Sequence, residues 1–366
     1  MTQTSAFQPS ADKSIELMDA NLPERRLKVA VLGAGPAGLG IAIELAKLPF
    51  VEWKVSKLQT ALLKVVDKTH IHLAKKLVGL EHLPDNRVRI LFQDGFVDEV
   101  DLLIAADGIR SVVRAFNFPG YTVSYKGQNV YRTTVSKSDA KKIDGIPWAP
   151  TFWKHVSGLY VYTCPLGDDD FEVTARFRPP KGGKKPVSWG QPFNLRSLLH
   201  EYDDFCLPVR QILGLAAQGE TQEFALFSGP RLEHMVSHGN TALIGDASHP
   251  LLGNFGSGAG FALEDAYTLA KVLEWAFFKN QSLPDALGLF DRIRSPHYAR
   301  LYGVLDKFAT VKKRLQVEDL TVDEEIAERV KRISLASESW MYYYEIDKVV
   351  ENALQEAEDA TIELID

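Results

Sequence analysis

The chain has 366 residues, of which 45% are hydrophobic and 25% are charged, and its net charge at pH 7 is −6. This composition suits a soluble enzyme with a large core, and the acidic balance gives no reason to expect nucleic-acid binding. With only Cys164 and Cys206 present, no disulfide framework is implied, and we expect a reducing, cytoplasmic compartment. Residues 1–26 predict a loose polar arm without a signal-type core, and no apolar run reaches membrane-spanning length.

The first ordered element is predicted within KVAVLGAGPAGLGIAIEL, residues 28–45. Residues 29–32 are apolar and predict a buried strand, and a helix begins directly after Gly33-x-Gly35-x-x-Gly38. Between a strand and a helix, these glycines are typical of a dinucleotide site. Gly33 permits the tight turn, Gly35 lets the backbone approach a pyrophosphate, and Gly38 lets the helix pack closely on the strand.

The second candidate segment is VDLLIAADGIRSVVR, residues 100–114. Its apolar strand, residues 102–105, ends at Asp107-Gly108, and Arg114 follows one turn later. Asp107 and Gly108 are candidate cofactor contacts. The alternative is a plain Asp-Gly turn, which is common after strands.

Residues 120–226 alternate between polar and apolar side chains, as in YKGQNVYRTTV and DFEVTARFR. This period of two predicts antiparallel strands. Helices are predicted at residues 194–215 and 261–279, and again over most of residues 283–366. We expect the aromatic cluster WMYYYEI, residues 340–346, to pack onto the body, and the acidic tail from Glu351 to be solvated.

The third candidate segment is LIGDASHPLLGNFGSGAGFALED, residues 243–265. An apolar strand ends at Ile244, and Asp246 follows directly after the strand end. A glycine-rich loop then leads into an amphipathic helix predicted from about Phe261. A carboxylate facing bare amides and a helix N-terminus suits a ligand with hydroxyls, phosphates and a flat ring. The alternative is a strand–turn–helix joint in which the Asp is only an N-cap.

These three segments, in this order, resemble the FAD-dependent aromatic-ring hydroxylases, single-component flavoprotein monooxygenases, and most of all fungal salicylate-hydroxylase-like enzymes. The resemblance covers most of residues 27–310. It implies an α/β fold in which a Rossmann-like FAD-binding domain is interleaved with an antiparallel β-sheet substrate domain, followed by C-terminal helices. The implied parts are 1–26 (arm), 27–118 and 227–305 (FAD-binding domain), 119–226 (substrate domain) and 306–366 (helical tail).

The resemblance also implies a reaction. NADPH or NADH would reduce FAD, molecular oxygen would form a flavin hydroperoxide, and a phenolic or aromatic acid such as a salicylate would be hydroxylated. Asp246 would meet the ribityl or pyrophosphate part of FAD, and Pro250 would shape the loop beside it. The amides of residues 258–260 (Gly258, Ala259 and Gly260) would face the isoalloxazine ring.

Two catalytic candidates lie in the predicted substrate sheet. Arg132 would hold a phenolate or carboxylate, and Tyr162, on one strand face with Tyr160, would donate to the same oxygen. The alternative is that Arg132 is an outer-face ion-pair residue and that the tyrosines belong to the core. His249 matches the family motif and is expected to shape the loop rather than to act as a base.

The chain departs from the family after its second strand, residues 51–55. Relatives carry a ribose-binding acid at this strand end, about 20 residues past the glycines. Here Ser56-Lys57 follows, and the nearby acids are Glu44, in the helix, and Glu52, within the strand. An arginine beside the flavin is also missing. We interpret this as an internal deletion after residue 55.

The departure leaves two hypotheses open, and the resemblance leaves the oligomeric state unspecified. The first is a working FAD monooxygenase with a shortened first domain. The second is a protein of the same fold with lost or weak FAD binding and no turnover. A plain NAD-dependent dehydrogenase would leave residues 243–265 unexplained.

Overall fold

A computed structural model describes residues 26–47, 51–55 (backbone only), 71–166, 169–179, 187, 190–252, 258–333 and 336–363. The strands are β1 (Leu27–Leu32), β2 (Val51–Val55), β3 (Leu77–His82), β4 (Val88–Phe92), β5 (Val97–Val100), β6 (Leu102–Ala105), β7 (Ser124–Ser136), β8 (Thr151–Lys154), β9 (Tyr160–Pro165), β10 (Asp170–Phe177), β11 (Gln191–Phe193), β12 (Thr221–Ser228), β13 (Val236–Ser237) and β14 (Thr241–Leu243). The helices are α1 (Pro36–Leu45), α2 (Val112–Asn117), α3 (Lys137–Ala140), α4 (Leu207–Ala216), α5 (Gly258–Phe278), α6 (Leu283–Leu315), α7 (Val322–Arg332) and α8 (Ile346–Glu363).

The first sheet has the strand order β13-β14-β6-β1-β2, in which β14, β6, β1 and β2 run parallel. Its central strands β1, β6 and β14 are buried on both faces, as parallel strands usually are. One face packs on α1, α5, α6 and α8, and the other packs on the small antiparallel sheet β3-β4-β5. The chain thus leaves this sheet after β6 and returns to it with β13.

The second sheet is antiparallel, in the order β11-β12-β7-β10-β9-β8. One of its faces packs on α4 and on the single-turn helices around residues 195–202. The predicted fold class is confirmed, including the alternation that predicted these strands. Among the described residues, no helix combines the length and the apolar content that a membrane crossing requires.

Two helix predictions differ from the structure. The helix predicted over 194–215 is divided into a 3₁₀ helix, Leu195–Tyr202, and α4, because Pro208 lies in the first turn of a new helix. The acidic tail from Glu351 belongs to α8, one side of which packs on the core while most of its acids are exposed. That helix buries Val350 and packs Leu354 against the core, since apolar residues recur every three to four positions.

The aromatic cluster does pack onto the body as predicted. The guanidinium of Arg300 lies 3.6 Å from the ring centre of Trp340. The ring of Tyr344 lies 4.2 Å from that of His297, between centroids. These contacts join the C-terminal segment to α6.

Packing at Gly38 gives the first prediction. A Cβ atom there would lie 2.2 Å from the carbonyl oxygen of Gly33, so Gly38→Ala forces α1 away from β1. We expect a loss of roughly 1–3 kcal/mol in the free energy of unfolding, measured by urea denaturation. Gly214→Ala in α4 is the control, because its Cβ meets nothing within 4 Å and alanine favours the helix. A Gly38→Ala protein as stable as the wild type would contradict this packing.

Candidate functional site

The three candidate segments meet at one edge of the parallel sheet. Strands β1, β6 and β14 are neighbours, so their carboxyl ends lie side by side. The ladder continues past these ends, where the Ala106 amide donates to the Leu32 carbonyl (2.7 Å) and the Ile244 amide to the Ala105 carbonyl (2.9 Å). Ligands of open α/β sheets bind outside the carboxyl ends of the strands. The fold therefore places all three sequence motifs around one potential binding region.

The glycines of the first turn have different surroundings. Gly33 has a φ of +107°, and a Cβ there would lie 2.1 Å from the Ala106 carbonyl oxygen. Gly33 and Gly38 are therefore required by packing, in the roles the sequence predicted. Gly35 has an ordinary φ of −76°, forms the N-cap of α1 without a side-chain cap, and has nothing within 4 Å of its Cβ position. The space over Gly35 is open to a ligand.

Asp107 holds the second turn together. Its Oδ2 accepts hydrogen bonds from the amides of Val112 (2.7 Å) and Val113 (3.4 Å), while Oδ1 has no partner among the described residues. Burial raises the pKa of Asp107, and its hydrogen bonds oppose that shift. Gly108, at φ +76°, has open space around its Cβ position. Asp107 is first of all a capping residue, which fits the simpler of the two sequence interpretations.

Arg114 connects the second turn to the third. It is 3% exposed, and its Nη1 donates to the carbonyl oxygens of Asp246 (3.0 Å) and Ala247 (2.7 Å). Its guanidinium also lies 4.6 Å from the ring centre of Tyr121. Arg114 thus fixes the backbone that presents Asp246. The sequence placed Arg114 in a motif without predicting this role.

Asp246 presents its carboxylate at the sheet edge. The residue is exposed, and its side chain accepts no hydrogen bond from the part of the chain that the structure describes. It lies in a concave surface, where the surrounding protein raises the pKa of Asp246 by desolvation and Arg114 opposes the rise. The preceding Gly245 has a φ of +58° and packs between Ala37 of α1 and Ala262 of α5. The packed turn therefore fixes the position of the Asp246 carboxylate, which can still accept hydrogen bonds from a ligand.

The third segment enters its helix earlier than predicted. Helix α5 starts at Gly258, not near Phe261, so Gly258, Ala259 and Gly260 form its first turn. All three are exposed, and neither glycine has anything within 4 Å of its Cβ position. First-turn amides have no partner within a helix, so this end can meet an electron-rich ligand. The preceding residues 253–257, with the glycines predicted there, lie outside the described residues.

A buried ion pair supports this turn from below. Asp265 Oδ2 accepts hydrogen bonds from the Gly245 amide and the Tyr298 hydroxyl, both at 2.8 Å, and Oδ1 accepts one from Arg294 Nε at 2.7 Å. Arg294 also pairs with Glu264 at 2.9 Å. Sequence reasoning missed Arg294 and Tyr298. The signal was present as two acids in an apolar helix and an Arg and a Tyr four residues apart in the next one.

His249 is a packing residue at this turn. It is 1% exposed, and its ring stacks on Tyr298 with centroids 4.0 Å apart. Burial lowers the pKa of His249 to about 3, so the ring is neutral near pH 7. Neighbouring Pro250 is buried and lies at the wall of a cavity described below. The expectation that His249 shapes the loop agrees with this geometry.

The two catalytic candidates share one face of the antiparallel sheet. Thr174 on β10 is directly opposite both Tyr162 on β9 and Arg132 on β7, so the three side chains point the same way. Arg132 makes a bidentate ion pair with Glu172, through Nε at 2.7 Å and Nη2 at 3.1 Å. Burial raises the pKa of Tyr162, and Cys164 and Glu172 raise it further. The ion pair favours the alternative in which Arg132 is structural.

A cavity of about 1260 Å³ opens on the same sheet face, between the sheet and the C-terminal helices. Neither Arg132 nor Tyr162 lines it, but Tyr160 does. Its walls come from β7–β10, the turn at residues 250–252, α6 and α7. A cavity next to the third turn is a natural place for a substrate.

The part of the site expected to hold adenosine, at β1 and β2, has fewer candidate ligand contacts than the part expected to hold the flavin, at Asp246 and α5. Val55, the last residue of β2, is opposite Val31, and Glu52 is opposite Lys28 in mid-strand. Glu44 pairs with Lys47 at the end of α1. No carboxylate lies at the end of β2 among the described residues, and residues 56–70, where the predicted deletion falls, lie outside them. The deletion stays a prediction.

Comparison with known proteins identifies the relatives of the chain. It is 28% identical over 266 residues to salicylate hydroxylase of Pseudomonas putida, covering 66% of this chain and 58% of that protein. It is also 28% identical over 254 residues to 3-hydroxybenzoate 6-hydroxylase of Polaromonas naphthalenivorans. The homologues of this chain are salicylate hydroxylase and related FAD-dependent aromatic hydroxylases. The chain spans about three-fifths of the length of these relatives, and no family model matches it.

Solved structures support the fold. A substrate complex of salicylate hydroxylase superposes with a TM-score of 0.69 at 19% identity, over 90% of this chain and 98% of that one. CtdE in complex with FAD and a substrate superposes with a TM-score of 0.70 at 18% identity, over 92% and 100%. At 18–19% identity, this likeness establishes the fold of the chain and nothing beyond it.

The buried histidines give a pH prediction. Burial lowers the pKa of both His249 and His297 to about 3, from an ordinary value of 6.5. Below pH 6.5 the unfolded chain gains protons that the folded protein does not, so the free energy of unfolding falls as pH falls toward 3. Each histidine contributes about 1.4 kcal/mol per pH unit. We expect His297→Phe, within a cluster of aromatic rings, to reduce that slope between pH 6 and pH 5.

Urea denaturation of the wild type and the variant at pH 7, 6 and 5 measures the two slopes. His200→Gln, at an exposed histidine, is the control and should leave the slope unchanged. Equal slopes for His297→Phe and the wild type would show that His297 is not held neutral by the fold.

Proposed function

We propose that the protein is an FAD-dependent monooxygenase that hydroxylates a phenolic or aromatic acid, using NADPH or NADH and molecular oxygen. One observation carries the proposal. Three turns meet at the carboxyl edge of the parallel sheet, and each of the two outer ones leaves ligand-binding groups open. These are the space over Gly35, the carboxylate of Asp246, and the first turn of α5.

The residues present fit a flavin dinucleotide. Gly35 and the N-terminus of α1 would hold the pyrophosphate, because unpaired amides at a helix start favour an anion. Asp246 would accept hydrogen bonds from the ribityl hydroxyls, and the first-turn amides of α5 would face the ring system. When bound, FAD would supply the transfer of electrons from the nicotinamide to oxygen.

The protein would hold the substrate ring beside the flavin and exclude water from the reacting atoms. The cavity beside residues 250–252 would receive the substrate ring on the face of the sheet that carries Tyr160. Helices α6 and α7 form one side of this cavity, and the substrate and flavin rings would have to displace the remaining solvent from the reacting atoms. The roles of Arg132 and Tyr162 in catalysis stay predictions, and the Glu172 ion pair argues that Arg132 is the weaker candidate.

A second candidate function follows from the adenosine side. No carboxylate lies at the end of β2 within the described ranges, so the ribose would lack a partner that is typical of dinucleotide sites. Losing one charged hydrogen bond costs roughly 1.5–3 kcal/mol, or ten- to a hundredfold in affinity. The alternative is therefore a protein of this fold that binds FAD weakly and does not turn over.

The visible spectrum of the purified protein separates these two. We expect flavin bands at close to one FAD per chain, and we expect Gly35→Ala to lose them, because the added methyl group occupies the space left for the pyrophosphate. Gly214→Ala is the matched control and should keep the flavin. Since nothing lies near Gly35, its variant should unfold at the same temperature as the wild type from which the flavin has been removed. A colourless wild type that takes up no added FAD would reject the proposal.

Turnover is tested by oxidation of NADPH and of NADH in the presence of phenolic acids, beginning with salicylate. We expect at least one acid to accelerate the oxidation and to yield a hydroxylated product by mass spectrometry. Asp246→Asn should retain the fold and lower the activity through weaker flavin binding. If every acid gives only peroxide, or no acceleration, the protein is not a hydroxylase of this substrate class.

A further inference from the structure

The substrate cavity carries an excess of positive charge. Six of its lining side chains are cationic, whereas Asp306 is the one carboxylate among the described lining residues. Four of the six belong to the elements that meet at the end away from the sheet edge. They are Lys154 on β8, Arg176 on β10, Lys312 on α6 and Arg329 on α7, here called the cation cluster.

The cation cluster is poorly compensated within the protein. Arg329 pairs with Glu325, and Arg176 donates to the Tyr160 hydroxyl at 3.3 Å while its buried Nε has no partner among the described residues. Lys154 and Lys312 have no carboxylate partner within the described ranges. Burial lowers the pKa of Lys312, and the neighbouring arginines, Arg176 and Arg329 among them, lower it further. An anion bound among these like charges would offset the cost of bringing them together.

The cation cluster lies far from the sheet edge along α6. Tyr302 lies at the edge end, where its hydroxyl is close to the Pro230 carbonyl (3.3 Å) and its ring packs on His249. Lys312 follows ten residues later on the same helix. At 1.5 Å per residue, the two are separated by about 15 Å along the helix axis. Both line the cavity, so the cavity is long as well as wide.

Helix α7 lines the end of the cavity that carries the cation cluster. It is held by a capping box at Thr321 and Glu324, and none of its residues is buried. Its apolar side, with Ile326 and Val330, faces the cavity together with Arg329. The helix therefore presents two apolar side chains and one arginine to the cavity, and a ligand that reaches this far would contact all three.

We propose that the cation cluster is an anion subsite for the acid group of an extended aromatic substrate. The ring that is hydroxylated would lie near residues 250–252, and the carboxylate would lie about 10–15 Å away, from the helix rise just given. A single-ring acid such as salicylate is too short to reach both ends. This inference rests on the proposed function for the identity of the ring end, but the anion subsite itself does not depend on flavin.

Calorimetric titration of the purified protein tests the subsite without flavin chemistry. The probes are 4′-hydroxybiphenyl-4-carboxylate and its neutral carboxamide, which share one shape. We expect the carboxylate to bind at least about tenfold more tightly, the effect of one charge-assisted hydrogen bond. Lys312→Met should remove that preference, and Lys154→Met should do so if Lys312→Met unfolds at a lower temperature. Lys331→Met, an exposed lysine on α7, is the matched control and should retain it.

Three outcomes would overturn the inference. They are equal binding of the carboxylate and the carboxamide, a preference that persists in both lysine variants, and no binding of the biphenyl acid. Because binding is measured directly, an absence of FAD or of hydroxylation would reject the proposed function and leave this result standing.

Discussion

The buried pair of Asp265 and Arg294 is the interaction on which the third turn depends. Both side chains are fully removed from solvent, and without Asp265 the buried Arg294 would keep only Glu264 as an acidic partner among the described residues. The carboxylate also holds the Gly245 amide and the Tyr298 hydroxyl. A buried charge persists only when such bonds satisfy it, and removing one partner costs several kcal/mol. The same carboxylate therefore joins the sheet edge to α5 and α6.

Arg114 completes this support from the side. It binds the carbonyls of Asp246 and Ala247, while Asp265 binds the amide of Gly245, so consecutive peptide groups are held from two directions. The side chain of Asp246 makes none of these contacts. The turn is thus rigid in its backbone and open in its carboxylate, which is the arrangement that a preorganised ligand site needs. Arg114 and Asp265 both bind the backbone of residues 245–247, and so both position the side chain of Asp246.

Local patterns predicted local structure well. The glycine spacing predicted the packing roles of Gly33 and Gly38, because a tight strand–turn–helix connection brings backbone close to both positions whatever the distant sequence is. Residues that act across the fold were not predictable in the same way. Arg114 and Arg294 act on segments 132 and 29 residues away, and the cation cluster joins four elements between residues 154 and 329. The helix predicted from about Phe261 already includes Gly258, because glycine-rich sequence predicts a loop and does not mark where the helix begins.

The two halves of the proposed dinucleotide site differ in how many of their expected ligand-binding groups are present. The flavin half has its carboxylate, its open glycines and its helix start, whereas the adenosine half has its glycines but no acid at the end of β2. A crystal structure of the protein with FAD tests this account most directly. We predict electron density for the pyrophosphate over Gly35 and for the ribityl chain beside Asp246, with the ribose hydroxyls unpaired to any carboxylate of β2. Density for FAD elsewhere, or none at a saturating concentration, would contradict it.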